Sequence, residues 1–378
     1  MSRAVPQRDT RSDKDYQNDI LVYVSRTFAL TIPQLPAGLR ETVTSAYLLC
    51  RIADTIEDEP TLSPEDKLRF LQQFSRVVGG LADAGLLAAE LAPRLSDRTS
   101  VHERDLVGNL ARVVSTVRRM QRREQTAIQR CIEIMCDGMH HFQRDASVRG
   151  LNRLADLDSY CYHVAGVVGE MLTDLFCAQL PELQQHAPAL RRLAPSFGQG
   201  LQMTNILKDM WEDRSRGACW LPREVFERRG LKLDQVAARQ HERGFRDGLQ
   251  ELVGIAHGHL RNALAFTLLI PATQSGIRRF CLWSIGLALL TLRGIHDNPR
   301  FTAGAQVKVS RRAVMMVRTV CNVSARSDRL LRGLFAYAAR GLPLIEQSET
   351  RDPAALRALL PEPLPKRQDA DARSALRG

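Results

Sequence analysis

The sequence lacks an uninterrupted run of apolar residues long enough to cross a membrane. Residues 1–19 are polar and charged, without the apolar stretch of a secretory signal. The longest apolar run, residues 280–292, has 13 residues, whereas a membrane-spanning helix needs about 20. We therefore expect this run to be a buried core helix in a cytoplasmic protein, whose contact with a membrane is at most peripheral and at the inner face.

Paired cysteines and a dinucleotide-binding glycine motif are missing as well. The eight cysteines form no C-x-x-C pair and no metal-ligand spacing, and several lie inside apolar runs, where a free cysteine packs as a small hydrophobic residue. This pattern argues against a disulfide scaffold and predicts a reducing compartment. No G-x-G-x-x-G follows a strand, so no motif of that kind indicates a nicotinamide site.

Alternating β-strand patterns bounded by tight turns are also absent, and apolar residues recur at helical spacing instead. The clearest examples are residues 42–58, 101–120, 125–142, 157–175, 197–211 and 278–292. The predicted fold class is all-α, with one helical domain over residues 16–345. A polar tail, residues 1–15, precedes it, and a flexible tail rich in proline and charge, residues 346–378, follows.

The charge of the chain is unbalanced towards the positive. Lys and Arg total 53 against 42 Asp and Glu, which gives a formal net charge of +11. Such an excess suits an anionic partner: nucleic acid, an acidic membrane surface or a phosphate-bearing substrate. The charge alone does not choose among these three.

Carboxylates are concentrated at two places in the same pattern, D-x-x-E-D. They are Asp54, Glu57 and Asp58, and, 155 residues later, Asp209, Glu212 and Asp213. On a helix these spacings place three like charges on one face, where they repel one another. A single cluster of this kind is usually a solvated face, but its repetition, each time after an apolar run, indicates helices that line a pocket.

A hard cation would compensate such clusters. Mg²⁺ prefers oxygen ligands and is typically held by one or two carboxylates together with substrate phosphate oxygens. Arg51 precedes the first cluster and Lys208 precedes the second. These two side chains could neutralise the diphosphate charge that Mg²⁺ does not. Two clusters facing each other across a helical cavity predict Mg²⁺-assisted departure of a diphosphate, with apolar walls that shield the resulting carbocation from water.

Several segments, distributed along the chain in the family's order, resemble the squalene/phytoene synthase family. They are residues 202–213 (Q-M-T-N-I-L-K-D-M-W-E-D) with Leu221 and Pro222 after them, residues 160–169 (Y-C-Y-H-V-A-G-V-V-G) and residues 25–28 (S-R-T-F). Within the family, residues 51–58 (R-I-A-D-T-I-E-D) and 301–309 (F-T-A-G-A-Q-V-K-V) are similar to squalene synthases of eukaryotic type. The resemblance implies a helical isoprenoid-synthase bundle around a central apolar cavity.

For the reaction, the resemblance implies head-to-head condensation of two farnesyl diphosphates to presqualene diphosphate, which is then rearranged and reduced by NADPH to squalene. Mg²⁺ and NADPH are the implied cofactors, and no nucleic-acid partner is expected. Condensation without reduction, to phytoene or dehydrosqualene, stays open, as does an enzyme that stops at presqualene diphosphate. A different class, a non-catalytic basic helical protein that binds nucleic acid or acidic lipid, would leave the carboxylates without a role.

The resemblance also implies roles for individual residues. The residues that would hold Mg²⁺ and diphosphate are Asp54, Glu57, Asp58, Asn205, Asp209 and Asp213. Further diphosphate contacts would come from Arg26, Arg51, Gln202, Lys208 and Arg216. Tyr160 would abstract a proton or stabilise the first cation, Phe28 would face the cations from the apolar wall, and Lys308 with Arg311 would bind the NADPH phosphates.

The sequence departs from the family pattern at four places. Lys208 stands where squalene synthases usually have arginine, and it keeps the charge but loses the bidentate fork. Ala218 stands where a basic residue is expected, with Arg214 or Arg216 as a replacement, and Ser310 takes the second basic position of the K-x-[RK] segment. The C-terminal membrane anchor of eukaryotic members has no counterpart, which predicts a bacterial enzyme that meets the bilayer only at its surface.

Overall fold

Residues 11–25, 27–144 and 147–347 are described by a computed structural model, and they are helical almost throughout. The helices are α1 (Asp13–Val24), α2 (Phe28–Thr31), α3 (Ala37–Asp58), α4 (Pro64–Val78), α5 (Ala84–Leu91), α6 (Val101–Gly108), α7 (Leu110–Arg118), α8 (Arg122–Arg144), α9 (Leu154–Cys161), α10 (Val167–Gln179), α11 (Ala187–Ser215), α12 (Arg223–Glu227), α13 (Val236–Arg239), α14 (Arg243–Leu269), α15 (Ser275–Asp297), α16 (Arg311–Ser324) and α17 (Asp328–Ala338). Within these ranges there is no β-strand, and one isolated parallel bridge joins Leu151 to Pro222. The predicted all-α fold class is confirmed.

Helix starts follow local capping signals in the sequence. The Ser63 hydroxyl accepts a hydrogen bond from the Asp66 amide (3.1 Å), and Pro64 occupies the first turn of α4. In the same way Ser310 accepts from the Ala313 amide (3.2 Å) and begins α16. The serine that departs from the family's basic pattern is therefore the N-cap of a helix.

The predicted helix over residues 101–120 is wrong in one respect, because the structure breaks it into α6 and α7 at Asn109. The Asn109 side-chain amide donates to the Asp105 carbonyl oxygen (2.9 Å), which is a local alternative to continuing the helix. Hydrophobic periodicity alone does not reveal such a break.

The core is built around α11, which packs against α10, α14 and α15. Helices α10 and α11 approach so closely that a Cβ on Gly169 would lie 2.1 Å from the Ala194 carbonyl oxygen. A Cβ on Gly198 would likewise lie 1.9 Å from the Ala165 carbonyl oxygen. Glycine at these two positions is required for the helices to meet at this distance.

Helix α15 contains the longest apolar run and is long and apolar enough to cross a membrane by length and composition. About two-thirds of its most apolar stretch (67%) is nevertheless buried inside the fold. Residues 280–292 thus belong to a core helix, as the sequence predicts.

The ends of the described chain bear on the predicted domain limits. Helix α1 begins at Asp13, three residues before the predicted start of the domain at residue 16. Residues 1–10 and 348–378, which make up most of the two predicted tails, lie outside the described residues, so the domain boundaries stay predictions.

Candidate active site

Both acidic motifs line one cavity of about 510 Å³. Its walls come mainly from α3, α10 and α11, with further residues from α2, α8, α9, α15 and the turn between α9 and α10. Of the residues predicted for the site, those that line it are Phe28, Arg51, Asp54, Glu57, Asp58, Tyr160, Gln202, Asn205, Lys208, Asp209, Asp213 and Arg216. Residues nearly 190 positions apart in the chain are thus brought to one place.

The cavity is polar at one end and apolar towards the other. Along α3 its lining runs from Val43 to Asp58, which at 1.5 Å per residue is about 22 Å. Along α11 it runs from Phe197 to Asp213. On both helices the carboxylates are at the C-terminal end of the lining, so the charged groups lie together at one end of the cavity. The apolar wall is formed by the residues that precede them in each helix.

The first motif is crowded with carboxylates that have little to neutralise them. Burial, opposed by Arg51 and reinforced by the charge of Asp58, raises the pKa of Asp54 to about 7. Burial together with the charges of Asp58 and Asp54 raises the pKa of Glu57 to about 8, despite a hydrogen bond from the Gln143 amide (3.2 Å). Burial also raises the pKa of Asp58. A bound cation would relieve this repulsion.

Glu59, the next carboxylate along the chain, behaves in the opposite way. It is buried, and its two oxygens accept hydrogen bonds from the Ser96 amide (2.9 Å), the Thr99 hydroxyl (2.7 Å) and both the amide and the hydroxyl of Thr61 (3.0 and 2.7 Å). Burial alone would raise its pKa, but the hydrogen bonds outweigh burial and lower the pKa of Glu59 to about 2. Glu59 is a structural anion that fixes the loop after α3.

In the second motif, basic residues pair directly with the carboxylates. The Lys208 ammonium lies 2.9 Å from Asp209 Oδ2, and the Arg216 guanidinium lies 2.6 Å from Asp213 Oδ1. Glu212 does not line the cavity. Its Oε1 accepts a hydrogen bond from the Gly304 amide (2.8 Å) and so fastens the loop before α16 to the end of α11.

The two motifs face each other closely enough to interact electrostatically. Burial raises the pKa of Asp58, whereas the charge of Arg216, across the cavity, lowers it. Burial raises the pKa of Asp213, and the negative charge of Asp58 adds to that rise. The arrangement matches the facing clusters that the sequence predicts.

The carboxylates suit a hard cation, although no complete set of ligands is assembled. Within the described residues, no three His, Cys, Asp or Glu side chains are close enough to hold one metal ion by themselves. The oxygen-only donors and their raised pKa values fit Mg²⁺, which usually takes one or two carboxylates and completes its shell with water and substrate phosphate oxygens. The donor set therefore fits metal bound together with a diphosphate.

Arg51 is shared between the first motif and a residue outside it. Its guanidinium lies 3.8 Å from Asp54 Oδ2 and donates a hydrogen bond to Glu103 Oε1. Glu103 also accepts from the Ser100 amide (3.1 Å), in a capping box that begins α6. Because Glu103 holds one side of the guanidinium, Arg51 only partly neutralises Asp54.

Tyr160 lies between the acidic end of the cavity and an aromatic wall. Its ring stacks on Trp220, with centroids 4.3 Å apart and planes 8° from parallel, and Phe142 packs edge-on at 5.3 Å. Burial and the nearby charges of Glu57 and Asp58 raise the pKa of Tyr160 well above its ordinary value. Its side chain is therefore a neutral phenol around pH 7.

The chain next to Tyr160 is not a regular α-helix. Residues Tyr162–Gly166 form a π-helical turn between α9 and α10, within the segment that resembles the family's Y-C-x-x-V-A-G-x-V-G. Such turns are rare and frequently lie at functional sites. This turn lines the cavity with Val164 and Ala165.

Comparison with known proteins accounts for this arrangement. The sequence model described as squalene/phytoene synthase matches residues 21–313, which is most of the chain. The chain belongs to the squalene/phytoene synthase family. The predicted resemblance is confirmed.

Relatives within the family are squalene synthases of eukaryotes. The squalene synthase of Candida albicans is 29% identical over 341 residues, which cover 89% of this chain and 72% of the relative. That of Schizosaccharomyces pombe is 27% identical, over 87% of this chain and 68% of the relative. The predicted likeness to the eukaryotic type is confirmed as well.

Solved structures of family members share the fold. A structure of TcSQS in complex with a ligand is 25% identical, has a TM-score of 0.70 and covers 92% of this chain and 96% of that one. A dehydrosqualene synthase in complex with a ligand is 21% identical, with a TM-score of 0.59 over 83% of this chain and 97% of that one. The similarity to the dehydrosqualene synthase shows a shared fold and nothing more.

Two of the residues predicted from the family resemblance do not line the cavity, and the position of a third is not described. Lys308 and Arg311 are exposed and do not line it. They adjoin a segment that touches the cavity rim, since a Cβ on Gly304 would lie 2.9 Å from the Lys208 carbonyl oxygen and 3.0 Å from Asp209 Oδ1. Arg26 lies outside the described residues.

Some residues of the site escape sequence reasoning. Trp220 and Phe280 line the cavity, and Glu103 holds Arg51, yet none belongs to a polar cluster that the sequence displays. Trp220 directly precedes Leu221 and Pro222 of the family segment, which is the one local signal for it. Glu103 is visible only as part of a capping box.

Proposed function

We propose that this protein condenses two molecules of farnesyl diphosphate head to head, through presqualene diphosphate, to squalene. The observation that carries the proposal is the pair of acidic motifs that face each other at one end of an elongated cavity with apolar walls. The squalene synthases among the relatives, and TcSQS among the solved structures, support the same activity.

We propose that the carboxylates of both motifs hold Mg²⁺ with the substrate diphosphates. The ligands would be Asp54, Glu57, Asp58, Asn205, Asp209 and Asp213, with water and phosphate oxygens completing the shell. Bound Mg²⁺ supplies charge neutralisation that makes diphosphate a better leaving group. The raised pKa values of Asp54 and Glu57 mean that protons compete with the metal near neutral pH.

Basic and amide side chains would orient the diphosphates. Arg51, Lys208 and Arg216 line the acidic end and each already pairs with a carboxylate there, so each can move to phosphate oxygens when substrate arrives. Asn205 lies about one turn and Gln202 about two turns before Asp209 on α11, towards the apolar wall. We propose that Arg26 contributes a further contact.

Tyr160 and the apolar wall would handle the carbocation. The neutral phenol is placed to present its oxygen to positive charge, while its stack on Trp220 fixes the ring plane. Because the phenol keeps its own proton, the departing diphosphate would accept the proton that the cation loses. The ring centroid of Phe28 lies 5.0 Å from that of Tyr47 and 6.4 Å from that of Phe280. Aromatic rings therefore line the apolar part of the cavity. Aromatic faces attract cations and exclude water.

For the reduction, we propose that NADPH binds at the rim, with Lys308 and Arg311 at its phosphates. Both side chains are exposed, and within the described residues neither has a carboxylate partner, as suits a phosphate ligand. Bound NADPH would supply the hydride that reduces the carbocation formed in the second half of the reaction. The loop between α15 and α16 connects Lys308 to the cavity rim through Gly304.

The test is product analysis of the purified protein with farnesyl diphosphate and Mg²⁺, with and without NADPH. Squalene formed only with NADPH, and presqualene diphosphate or dehydrosqualene accumulating without it, is the expected result. A product with thirty carbons that is insensitive to NADPH would indicate a dehydrosqualene synthase. Turnover only with geranylgeranyl diphosphate would indicate a phytoene synthase, and no turnover with either substrate would contradict the proposal.

We propose further that residues 16–345 form the catalytic domain and that the protein works in the cytoplasm, at the membrane surface that receives its hydrocarbon product. Limited proteolysis tests the domain limits, since cleavage confined to residues 1–15 and 346–378 is expected. Cell fractionation in the native host tests the location. Protein found in a secreted fraction would contradict it.

A further inference from the structure

A second cavity lies on the opposite face of α15 from the acidic one. Phe280 and Ser284 of α15 line the acidic cavity, whereas Leu282 and Leu289 line the second, which has a volume of about 560 Å³. Its sides come from α16 and α17. A single helix therefore separates the proposed catalytic cavity from this apolar groove.

Large apolar side chains stand exposed around the mouth of the groove. On α16, Met316 (55% exposed) and Val323 (78%) are seven residues apart and share one face. On α17, Leu330 (53%), Leu334 (38%) and Tyr337 (76%) have spacings of four and three residues and also share a face. Met316, Leu334 and Tyr337 line the groove itself. We call these five residues the apolar stripe.

Arginines are concentrated in the same segment of the chain as the apolar stripe. Between residues 312 and 340 the chain has six arginines and one acidic residue, Asp328. Asp328 is already bound by the buried Arg278, with its Oδ1 2.7 Å from the guanidinium. The six arginines, all exposed, have no carboxylate partner within the described residues: Arg312, Arg318, Arg326, Arg329, Arg332 and Arg340.

We propose that the α16–α17 surface, meaning the apolar stripe and these six arginines, docks on a bilayer that contains anionic phospholipid. Exposed apolar side chains, together with cations that have no carboxylate partner in the described residues, are the chemistry of a helix pair that lies in the plane of a membrane interface. The apolar stripe inserts at the boundary between headgroups and acyl chains, and the arginines contact lipid phosphates. The proposal concerns this surface and does not depend on the proposed reaction.

Charge complementarity favours the bilayer over two other occupants. A second copy of the chain would bring the same six arginines against each other, at a cost in repulsion. Residues 348–378 contain six basic and five acidic residues, a net charge of +1, so they do not complement the surface either. An anionic lipid surface supplies the missing negative charge.

The first test is sedimentation of the full-length protein with phosphatidylcholine vesicles, with and without phosphatidylglycerol. The wild-type chain is expected to bind only the anionic vesicles, and less at high salt. R312Q/R329Q/R332Q should weaken that binding by at least about tenfold. The matched control, R118Q/R122Q/R123Q, removes the same charge from exposed positions on α7 and α8 and should have little effect.

The second test locates the inserted residues. All eight native cysteines are buried, so a cysteine introduced on the surface can be labelled selectively with an environment-sensitive dye. The dye on Val323→Cys should shift to the blue with anionic vesicles. The dye on Leu86→Cys, an equally exposed position (75%) on α5, should not.

Three results would overturn the proposal. The first is no binding of the wild-type chain to anionic vesicles, or equal binding to neutral ones. The second is an equal loss of binding in the control triple variant, which would mean that net charge alone acts. The third is sedimentation equilibrium showing that the chain self-associates through this surface, with the dye on Val323→Cys shifted without lipid.

Discussion

The two acidic motifs share the pattern D-x-x-E-D, but the fold uses their carboxylates differently. In the first motif all three side chains line the cavity, and the next residue, Glu59, anchors the chain through four hydrogen bonds. In the second motif Asp209 and Asp213 line the cavity, and Glu212 anchors the chain through the Gly304 amide. Each helix end thus needs one carboxylate for structure, and the packing around it selects which one.

The two motifs also differ in how they are neutralised. Lys208 and Arg216 each pair with a carboxylate of the second motif at less than 3 Å, whereas Arg51 is shared between Asp54 and Glu103. The first motif keeps the larger uncompensated negative charge, and the pKa values of Asp54 and Glu57 are raised to about 7 and about 8. We expect a cation to make the larger difference there.

The largest effect should come from removing one cavity carboxylate on either side. Asp54→Asn and Asp209→Asn should each lower kcat by about 10³-fold, because charge on the leaving diphosphate is then poorly neutralised. Diphosphate release as a function of Mg²⁺ concentration measures this. Asp97→Asn, at a fully exposed position, is the control, and retained turnover in either cavity variant would contradict the assignment.

Next in size is the loss of the structural anion after the first motif. Glu59→Gln should lower the free energy of unfolding by about 2–3 kcal/mol. The side-chain amide nitrogen of glutamine cannot accept the hydrogen bonds that one carboxylate oxygen of Glu59 accepts. The pKa of Glu59 is lowered from 4.5 to about 2, so its contribution is present above pH 4.5 and is lost as the pH falls towards 2. Chemical denaturation at several pH values measures both. Glu133→Gln, exposed on α8, should change neither.

Substitutions of the middle glutamate, Glu57 in the first motif and Glu212 in the second, should have different effects in the two motifs. Glu57→Gln should weaken apparent Mg²⁺ affinity by about 10- to 100-fold without destabilising the fold, since it removes a cavity carboxylate. Glu212→Ala should instead lower stability by about 1 kcal/mol, because the Gly304 amide loses its acceptor, while Glu212→Gln keeps one. If Glu212→Ala weakened Mg²⁺ affinity as much as Glu57→Gln with no loss of stability, the contrast drawn between the motifs would fail.

A further effect is expected in how the stability of the metal-free protein depends on pH. Because the pKa of Glu57 is raised from 4.5 to about 8, the folded state holds this proton more tightly than the unfolded state. The free energy of unfolding should therefore fall as the pH rises from 4.5 to about 8. The contribution of Glu57 to this fall is at most about 1.4 kcal/mol per pH unit. Glu57→Gln should flatten the decline, and Glu212→Gln should not. An unchanged slope in Glu57→Gln would contradict the raised pKa.

Much of the site could be predicted from the sequence because its residues come in short helical spacings. The pattern D-x-x-E-D fixes three carboxylates on one helix face, and an apolar run before each motif indicates a pocket wall. The family segments supply Tyr160, Gln202 and Asn205, all of which line the cavity. The NADPH contacts at Lys308 and Arg311 stay predictions, because both side chains lie outside the cavity.

By itself the sequence determined the all-α class, the helices that carry the acidic motifs and the residues at their cavity faces, because these depend on neighbours within four positions. Only the tertiary structure decided that Glu212 would bind the Gly304 amide, that Glu103 would hold Arg51 and that Trp220 would stack on Tyr160. It also decided that α15 would separate an acidic cavity from an apolar groove. The three contacts join residues 52, 60 and 92 positions apart. A local sequence pattern, which extends over a few neighbouring positions, does not specify contacts at such separations.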